Sequence, residues 1–228
     1  MVRFSENPMI DPKEFLAAGQ LLHGHKCPAM PLGLRAGAAA LNALGVGRAK
    51  DGQLEAILEL GDTHCAHCFA DGVQMITGCT FGKGNIRKLG YGKFGLTLVD
   101  RATGRRVRVV PKAEAQAASR QTPFFMDYRM KGIPASQVPA DVVEPLIENV
   151  MNVLTERILM VGEVKQGPVV PKQAEQFASI VCERCGDMVI ESYGRKEGKQ
   201  IICIPCAESK ARVARARRSP RNGLRENL

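Results

Sequence analysis

Two Cys-x-x-Cys pairs near the end of the chain constrain its fold more than any other feature of the sequence. They read "CERC" at 182–185 and "CIPC" at 203–206, and the segment between them, 186–202, is 17 residues long. A two-residue gap lets one turn present both sulfurs to the same ion, and this spacing is typical of a structural zinc site. Four thiolates complete a tetrahedron and leave no position for a substrate. The predicted zinc ligands are Cys182, Cys185, Cys203 and Cys206.

The segment around these cysteines predicts a treble-clef zinc finger. So short a piece of chain has too little core to fold alone, so we expect the metal to hold it together. We expect "MVIESYG" and "KQIICI" to pair as a hairpin, and "AESKARVARARR" to form a helix after the last ligand. From residue 207 onward seven Lys or Arg residues face two Glu, which is +5 of the chain's total of +9. This basic tail makes nucleic acid a candidate partner, whereas a stabilising or partner-docking role is the simpler interpretation.

Length and composition fit one medium domain followed by a small module. The chain has 228 residues, 45% of them hydrophobic, and no Trp. We predict a core domain at 1–166, a linker at 167–175, the finger at 176–214 and a disordered basic tail at 215–228. No run reaches the roughly 20 apolar residues of a membrane helix, and the N-terminus lacks an apolar signal region, so we expect a cytoplasmic protein. Its eight cysteines are then expected to be ligands or reactive thiols rather than disulfides.

The hydrophobic pattern of the core domain predicts an α+β fold, an antiparallel or mixed sheet with packed helices. Asp11, Pro12 and Glu14 are typical of a helix start, and Gly24 should end that helix. The many Ala and Gly residues of the next predicted helix, from Pro31 to Gly45, indicate that another backbone packs closely against it. The remaining predicted elements are a strand at 54–60, a helix at 69–76, a hairpin at 94–110, a helix within 139–159 and a strand at 158–164.

The segment "LLHGHKCPAMPLG" places His23, His25 and Cys27 at every second position. Residues two apart share a side in extended chain but not on a helix. Pro28 favours an extended Cys27, so His25 and Cys27 can point the same way, and His23 joins them if the helix has ended. Imidazole and thiolate are common ligands of zinc and other transition metals. His23 is as well explained as a capping or core histidine.

A second cluster of ligand-type residues occurs in "GDTHCAHCFADG", residues 61–72. Its candidate metal ligands are His64, Cys65, His67 and Cys68. Cys68 directly precedes the predicted helix, where the helix dipole would lower the pKa of its thiol and make it a ligand or a nucleophile. Asp71 could orient an imidazole or accept a proton. A metal site, a reactive thiol and an ordinary buried loop are the three interpretations, and metal is favoured because "HGHKC" offers matching ligands.

The glycine-rich segment "TGCTFGKGN", residues 77–85, resembles a phosphate-binding loop but fails its pattern. Three residues, not four, separate Gly78 from Gly82, and Gly84 stands where Ser or Thr is required. We therefore predict no nucleotide site. Lys83 supplies a cation for an anionic or carbonyl-bearing ligand, and Cys79 is equally well explained as a small buried residue or as a chemical one.

These segments together resemble the FmdE family, which is named for formylmethanofuran dehydrogenase. The resemblance rests on "HGHKCP", on "CFADGVQMITGCTFGKGN", on the hairpin "TLVDRATGRRVRV" and on the four-cysteine finger. It covers roughly residues 14–112, with the finger at 180–210 added, and the long "TGCTFGKGN" block is its most specific part.

The resemblance implies an α+β core that forms a homodimer, an auxiliary treble-clef finger, and a place in one-carbon or molybdenum/tungsten metabolism with other subunits of such an enzyme as partners. The site positions that it implies are His23, His25, Cys27, Cys68, Asp71, Gln74 and Cys79. In this chain "GDTHCAHCFADG" replaces the family's Asn-Asp-x-Cys-Gly-Val-Asp type of segment. Cys68 keeps the distance to the "TGC" cysteine, so His64, Cys65 and His67 are additions that could enlarge or change a metal site.

Three hypotheses follow. In the first, the protein is a metal-binding accessory or enzyme-like protein, with structural zinc in the finger and zinc or another transition metal in the core. If it is catalytic, Cys27, Cys68, Asp71 and Lys83 are the candidate catalytic residues, and an open metal position would activate water or a substrate atom. In the second it is a nucleic-acid-binding or regulatory protein, and in the third a thiol-redox protein. The residues do not decide between an enzyme and an accessory component.

Overall fold

The computed structural model describes residues 9–63, 67–171 and 174–209. The chain divides into two compact units, Met1–Lys172 (the core unit) and Gln173–Leu228 (the C-terminal unit). Within the described residues no helix is both long and apolar enough to cross a membrane. His64, Cys65 and the tail beyond residue 209 lie outside the described residues.

The core unit combines helices with one mixed sheet, which confirms the predicted α+β class. Its described helices are α1 (Leu16–His23), α2 (Ala29–Leu44), α3 (His67–Thr77), α4 (Ala113–Arg120), α5 (Ala140–Asn152) and α6 (Thr155–Ile158). Its described strands are β1 (Leu54–Leu58), β2 (Ile86–Lys88), β3 (Leu96–Asp100), β4 (Arg105–Pro111), β5 (Leu159–Val161) and β6 (Lys165–Gln166). A π-helical turn at Phe124–Tyr128 follows α4.

The strands of the core unit lie in the order β2-β1-β3-β4-β5, and β6 also pairs with β4. Only the β1–β2 pair is parallel among them, and β3 and β4 form the hairpin that the alternating pattern predicted. Alternate residues point to opposite faces of a strand. One face of β1 therefore presents Leu54, Ala56 and Leu58 to the hydrophobic core.

Helix α2 is the centre of the core unit. It is buried on almost every side, including its Ala and Gly residues, as a helix within a core must be. Gly33 of α2 meets Gly72 of α3 so closely that a Cβ on Gly33 would lie 2.1 Å from the Phe69 carbonyl oxygen. The close backbone approach predicted from the composition of this helix is present, and its partner is α3.

The charged residue Arg35 ties α2 to the end of α5. Its guanidinium donates hydrogen bonds of 2.7–2.9 Å to the carbonyls of Val150, Met151 and Val153. The last carbonyls of a helix have no partner within it, so Arg35 satisfies groups that would otherwise be buried without a donor. The predicted helix within 139–159 thus ends at Asn152, and the short α6 follows.

The opposite face of the sheet carries ion pairs. Glu59 accepts two hydrogen bonds from Arg108, of 2.6 and 2.7 Å, and Glu55 accepts one of 2.8 Å from Arg87. Paired charges on this face leave the apolar core to the face that α2 covers.

The C-terminal unit contains two small hairpins rather than the single predicted one. The first joins β7 (Ser179–Val181) to β8 (Met188–Ile190), and the second joins β9 (Gly194–Glu197) to β10 (Gln200–Cys203). The predicted pairing of "MVIESYG" with "KQIICI" is therefore wrong: each segment pairs with its nearer neighbour, across a shorter loop. Residues 204–209 are helical.

Candidate metal centre

The turn between α1 and α2 brings the first three candidate ligands together. Helix α1 ends at His23 because Gly24 adopts a left-handed conformation, with φ of 82°, which favours glycine. The chain then runs through His25 and Cys27 to Pro28, the residue that begins α2. The helix therefore ends where the sequence required it to end if His23 was to join the other two.

The fourth member of the cluster, Cys68, comes from the first turn of α3. The ligand-type atoms of His23, His25, Cys27 and Cys68 all lie within 4.8 Å of one another. Nε2 of His23 lies 3.1 Å from Nε2 of His25 and 3.5 Å from Sγ of Cys27. A tetrahedral zinc ion would separate two imidazole nitrogens by about 3.4 Å, and a nitrogen from a sulfur by about 3.5 Å. The donor types and their spacing therefore fit a tetrahedral transition-metal ion.

Asp71 holds His23 in the orientation that a metal ligand needs. Its Oδ2 lies 2.7 Å from Nδ1 of His23, which leaves Nε2 directed at the cluster. Gln74 donates to the other oxygen of Asp71 at 3.3 Å, and its own carbonyl accepts from the Phe81 amide at 3.0 Å. A carboxylate behind a ligating imidazole fixes its tautomer and its ring orientation. Asp71 is thus placed to orient an imidazole, one of the two roles that the sequence suggested.

The two thiols of the cluster differ in acidity. A hydrogen bond from Cys68 is the main reason that the pKa of Cys27 lies below its ordinary value, whereas the same contact and burial raise the pKa of Cys68. The expectation that the helix start would lower the pKa of Cys68 is therefore wrong for this arrangement, because two adjacent thiolates repel each other. Burial and the neighbouring His23 lower the pKa of His25, so its imidazole is held neutral, as metal ligation requires.

The other sequence candidates lie elsewhere among the described residues. Nε2 of His67 is hydrogen-bonded at 2.8 Å to the Gly61 carbonyl, outside the cluster. Cys79 is fully buried, and burial raises the pKa of its thiol to about 11. Nζ of Lys83 donates to the Ala49 carbonyl at 3.1 Å, so the glycine-rich loop uses this cation to hold its own backbone. His64 and Cys65 lie outside the described residues.

A cavity of about 250 Å³ adjoins the cluster. Three of the four cluster residues, His25, Cys27 and Cys68, line it. Sequence reasoning missed the residues of its opposite wall, which are Phe94, Phe124, Phe125, Arg129, Pro134, Ala135 and Ser136. The one signal was "FFMDY" at 124–128, a concentration of aromatic residues in a chain with 5% aromatics.

The cysteines of the C-terminal unit form a second cluster. The sulfurs of Cys182, Cys185, Cys203 and Cys206 lie within 4.8 Å of one another. Sγ of Cys185 is 3.8 Å from Sγ of Cys203, and a tetrahedral zinc ion would separate two sulfurs by about 3.8 Å. Hydrogen bonds from the backbone amides of Cys185 and Cys203 are the main cause that lowers the pKa of Cys182 to about 6. This unit offers the four thiolates of a closed site.

Comparison with known proteins places this geometry in context. Residues 22–159, more than half of the chain, match the family described as FmdE, molybdenum formylmethanofuran dehydrogenase operon. A protein of Archaeoglobus fulgidus named probable S-adenosyl-L-methionine-binding protein is 29% identical over 213 residues, which are 89% of this chain and 55% of that protein. The chain thus spans about half the length of this curated relative. The crystal structure of an FmdE-like protein of tungsten formylmethanofuran dehydrogenase, from Syntrophus aciditrophicus, shares the fold, with a TM-score of 0.57 and 23% identity over 87% of this chain and 92% of that one.

Proposed function

This chain belongs to the FmdE family, and from that membership and its two clusters we propose that it is a metal-binding protein of one-carbon metabolism. In this proposal the core cluster holds the functional metal and the C-terminal cluster holds a structural zinc ion in a treble-clef finger. The protein acts as an accessory or enzyme-like component in the setting of formylmethanofuran dehydrogenase.

The observation that carries the proposal is the convergence of four ligand-type side chains from two segments of the fold, with Asp71 behind one of them. Cys27 precedes α2 and Cys68 lies in α3, 41 positions apart in the chain, so their meeting is a product of the fold. Among the described residues only the two clusters bring at least three ligand-type atoms so close together. Thiol and imidazole donors in a tetrahedral spacing favour zinc.

The position of the core cluster supports a functional rather than a purely structural metal. Three of its four residues line a cavity large enough for a small molecule, whereas a structural zinc site is closed by its ligands. A bound metal ion would supply Lewis acidity at the cavity wall. The protein's own residues would hold that ion, fix the orientation of His23 through Asp71 and exclude water with the apolar opposite wall.

We further propose that the protein works as a homodimer in the cytoplasm. Family membership supports the dimer, and exposed apolar side chains such as Leu21, Met130 and Leu154 offer surface for a partner. The free thiols at ligand distance in both clusters are the state that a reducing compartment maintains. The other subunits of a molybdenum or tungsten enzyme are candidate partners.

Metal analysis of purified protein tests the proposal. We expect two metal equivalents per chain, with about one lost in Cys27→Ser and the other lost in Cys182→Ser. Cys79→Ala is the matched control, because it removes a buried thiol that belongs to neither cluster, and it should retain both equivalents. One equivalent in the wild type, all of it lost in Cys182→Ser, would remove the functional core metal from the proposal.

A further inference from the structure

The cavity beside the core cluster has two chemically different sides. On one side His25, Cys27 and Cys68 present the donor atoms of the cluster. On the other side aromatic rings and one guanidinium face them across about 250 Å³. This volume lies below the roughly 300 Å³ at which pockets for larger ligands begin, so the cavity selects a small molecule.

The aromatic side is rigid. The Phe124 ring is buried and meets Phe125 edge to face, with centroids 5.3 Å apart. Across the cavity Phe94 meets the fully buried Phe69 in the same way at 5.8 Å. Because each ring that lines the cavity is held by another ring, the aromatic surface is preformed.

The backbone beneath Phe124 and Phe125 is a π-helical turn, Phe124–Tyr128. Such turns are rare and occur often at functional sites, since the extra residue changes the direction of the side chains that follow it. Here the turn delivers Phe124 and Phe125 to the cavity, and the helix continues directly into Arg129.

Arg129 is the cation of the cavity. Its Nη1 donates to the Ile133 carbonyl, which fixes the guanidinium at the wall. A guanidinium has five N–H donors in a planar fork, so this anchoring bond leaves donors for a ligand. Arg129 is near enough to His25 to help lower its pKa. The described residues that line the cavity include no Asp or Glu, so an anion entering it meets attraction without an opposing carboxylate.

We propose that this cavity binds a small organic carboxylate with a flat apolar body, its carboxylate on Arg129 and its body between Phe94 and Phe125. The planar carboxylate matches the planar fork of a guanidinium. A single arginine balances one negative charge, which favours a monoanion over a phosphate. The inference rests on the proposed function, because it names the class of ligand brought beside the metal site.

Benzoate is a suitable probe, since it combines one aromatic ring with one carboxylate. We expect isothermal titration to show saturable benzoate binding to the metal-loaded full chain and much weaker binding of benzamide, which has the same shape without the charge. Arg129→Gln should weaken benzoate binding about tenfold or more, and Phe125→Ala should weaken both probes. Arg120→Gln is the matched control, because Arg120 is an exposed arginine outside the cavity, and it should leave benzoate binding unchanged.

The metal content of each variant separates this inference from the proposed function. Equal affinity for benzoate and benzamide, or no effect of Arg129→Gln on benzoate, would overturn the ligand class even if both metals are present. Displacement of benzoate by millimolar inorganic phosphate would replace the carboxylate with a phosphate ligand. Loss of the core metal in all preparations, with benzoate binding intact, would instead refute the proposed function and leave the anion cavity standing.

Discussion

Replacing Gly72 with alanine tests whether the close approach of α2 and α3 builds the core cluster. A Cβ at position 72 would lie 2.0 Å from the Met30 carbonyl oxygen and 2.7 Å from the Leu34 amide nitrogen. Both are backbone atoms of α2, so no flexible side chain can move aside to admit the methyl group. The two helices themselves must separate.

The size of that separation follows from contact distances. Comfortable contact requires about 3.5 Å, so at Gly72 the backbones must part by about 1.5 Å. Metal–ligand distances tolerate only about 0.2 Å, and Cys68 lies one turn before Gly72 on α3. We therefore expect Gly72→Ala to lower the free energy of unfolding by about 1–3 kcal/mol or more, and to weaken metal binding at the core cluster at least about tenfold.

Urea denaturation and a zinc titration against a chromophoric chelator measure the two effects. Gly47→Ala is the control, because a Cβ there meets no atom within 4 Å. Gly33→Ala, on the facing helix, should repeat the effects of Gly72→Ala, since its Cβ would lie 2.1 Å from the Phe69 carbonyl oxygen. If Gly72→Ala matched Gly47→Ala in both assays, the argument from close packing would fail.

Three further substitutions probe single contacts. Asp71→Asn should reduce core metal affinity about 10- to 100-fold, measured by the same chelator competition, because the amide orients His23 less firmly. The hydrogen bond from Arg108 holds the pKa of Glu59 below its ordinary value, so the stability that this carboxylate contributes is present above its unfolded pKa of about 4.3 and is lost as pH falls through the folded pKa. The unfolding free energy of Glu59→Gln should accordingly fall below that of the wild type at pH 7 and approach it below pH of about 4; a gap that persisted at low pH would contradict this. Arg35→Met should lower the unfolding free energy by about 3 kcal/mol, since carbonyls at the end of α5 lose their donors, and an unchanged urea midpoint would show that water replaces them.

The sequence predicted much of the fold from local patterns. Gly24 ends α1 because only a residue without Cβ adopts its left-handed conformation easily. The alternation on both sides of "DRATGR" predicted the β3–β4 hairpin, and the Ala and Gly residues of α2 predicted a close backbone neighbour. Each of these features is set by neighbours within a few positions in the chain, so reading them requires no knowledge of distant segments.

The pairing of the C-terminal strands shows where local patterns stop being sufficient. Both "MVIESYG" and "KQIICI" read correctly as strands, yet each pairs with a nearer segment. A strand pattern states that a segment can pair, and the choice among available edges depends on loop closure and on where the four cysteines must meet.

The residues of the core site divide in the same way. Spacing and Pro28 determined that His25 and Cys27 could act together, since the geometry of adjacent extended residues is fixed by the backbone. Only the tertiary structure decided which described residue of "HCAHC" joins them, because the contact of α3 with α2 turns Cys68 toward Cys27 and leaves His67 on the Gly61 carbonyl. The same holds for Arg129 and the two rings of the π-helical turn, which stand more than 90 positions from the histidine that they face. Local chemistry can be read along the chain, whereas the meeting of distant side chains depends on how the helices pack.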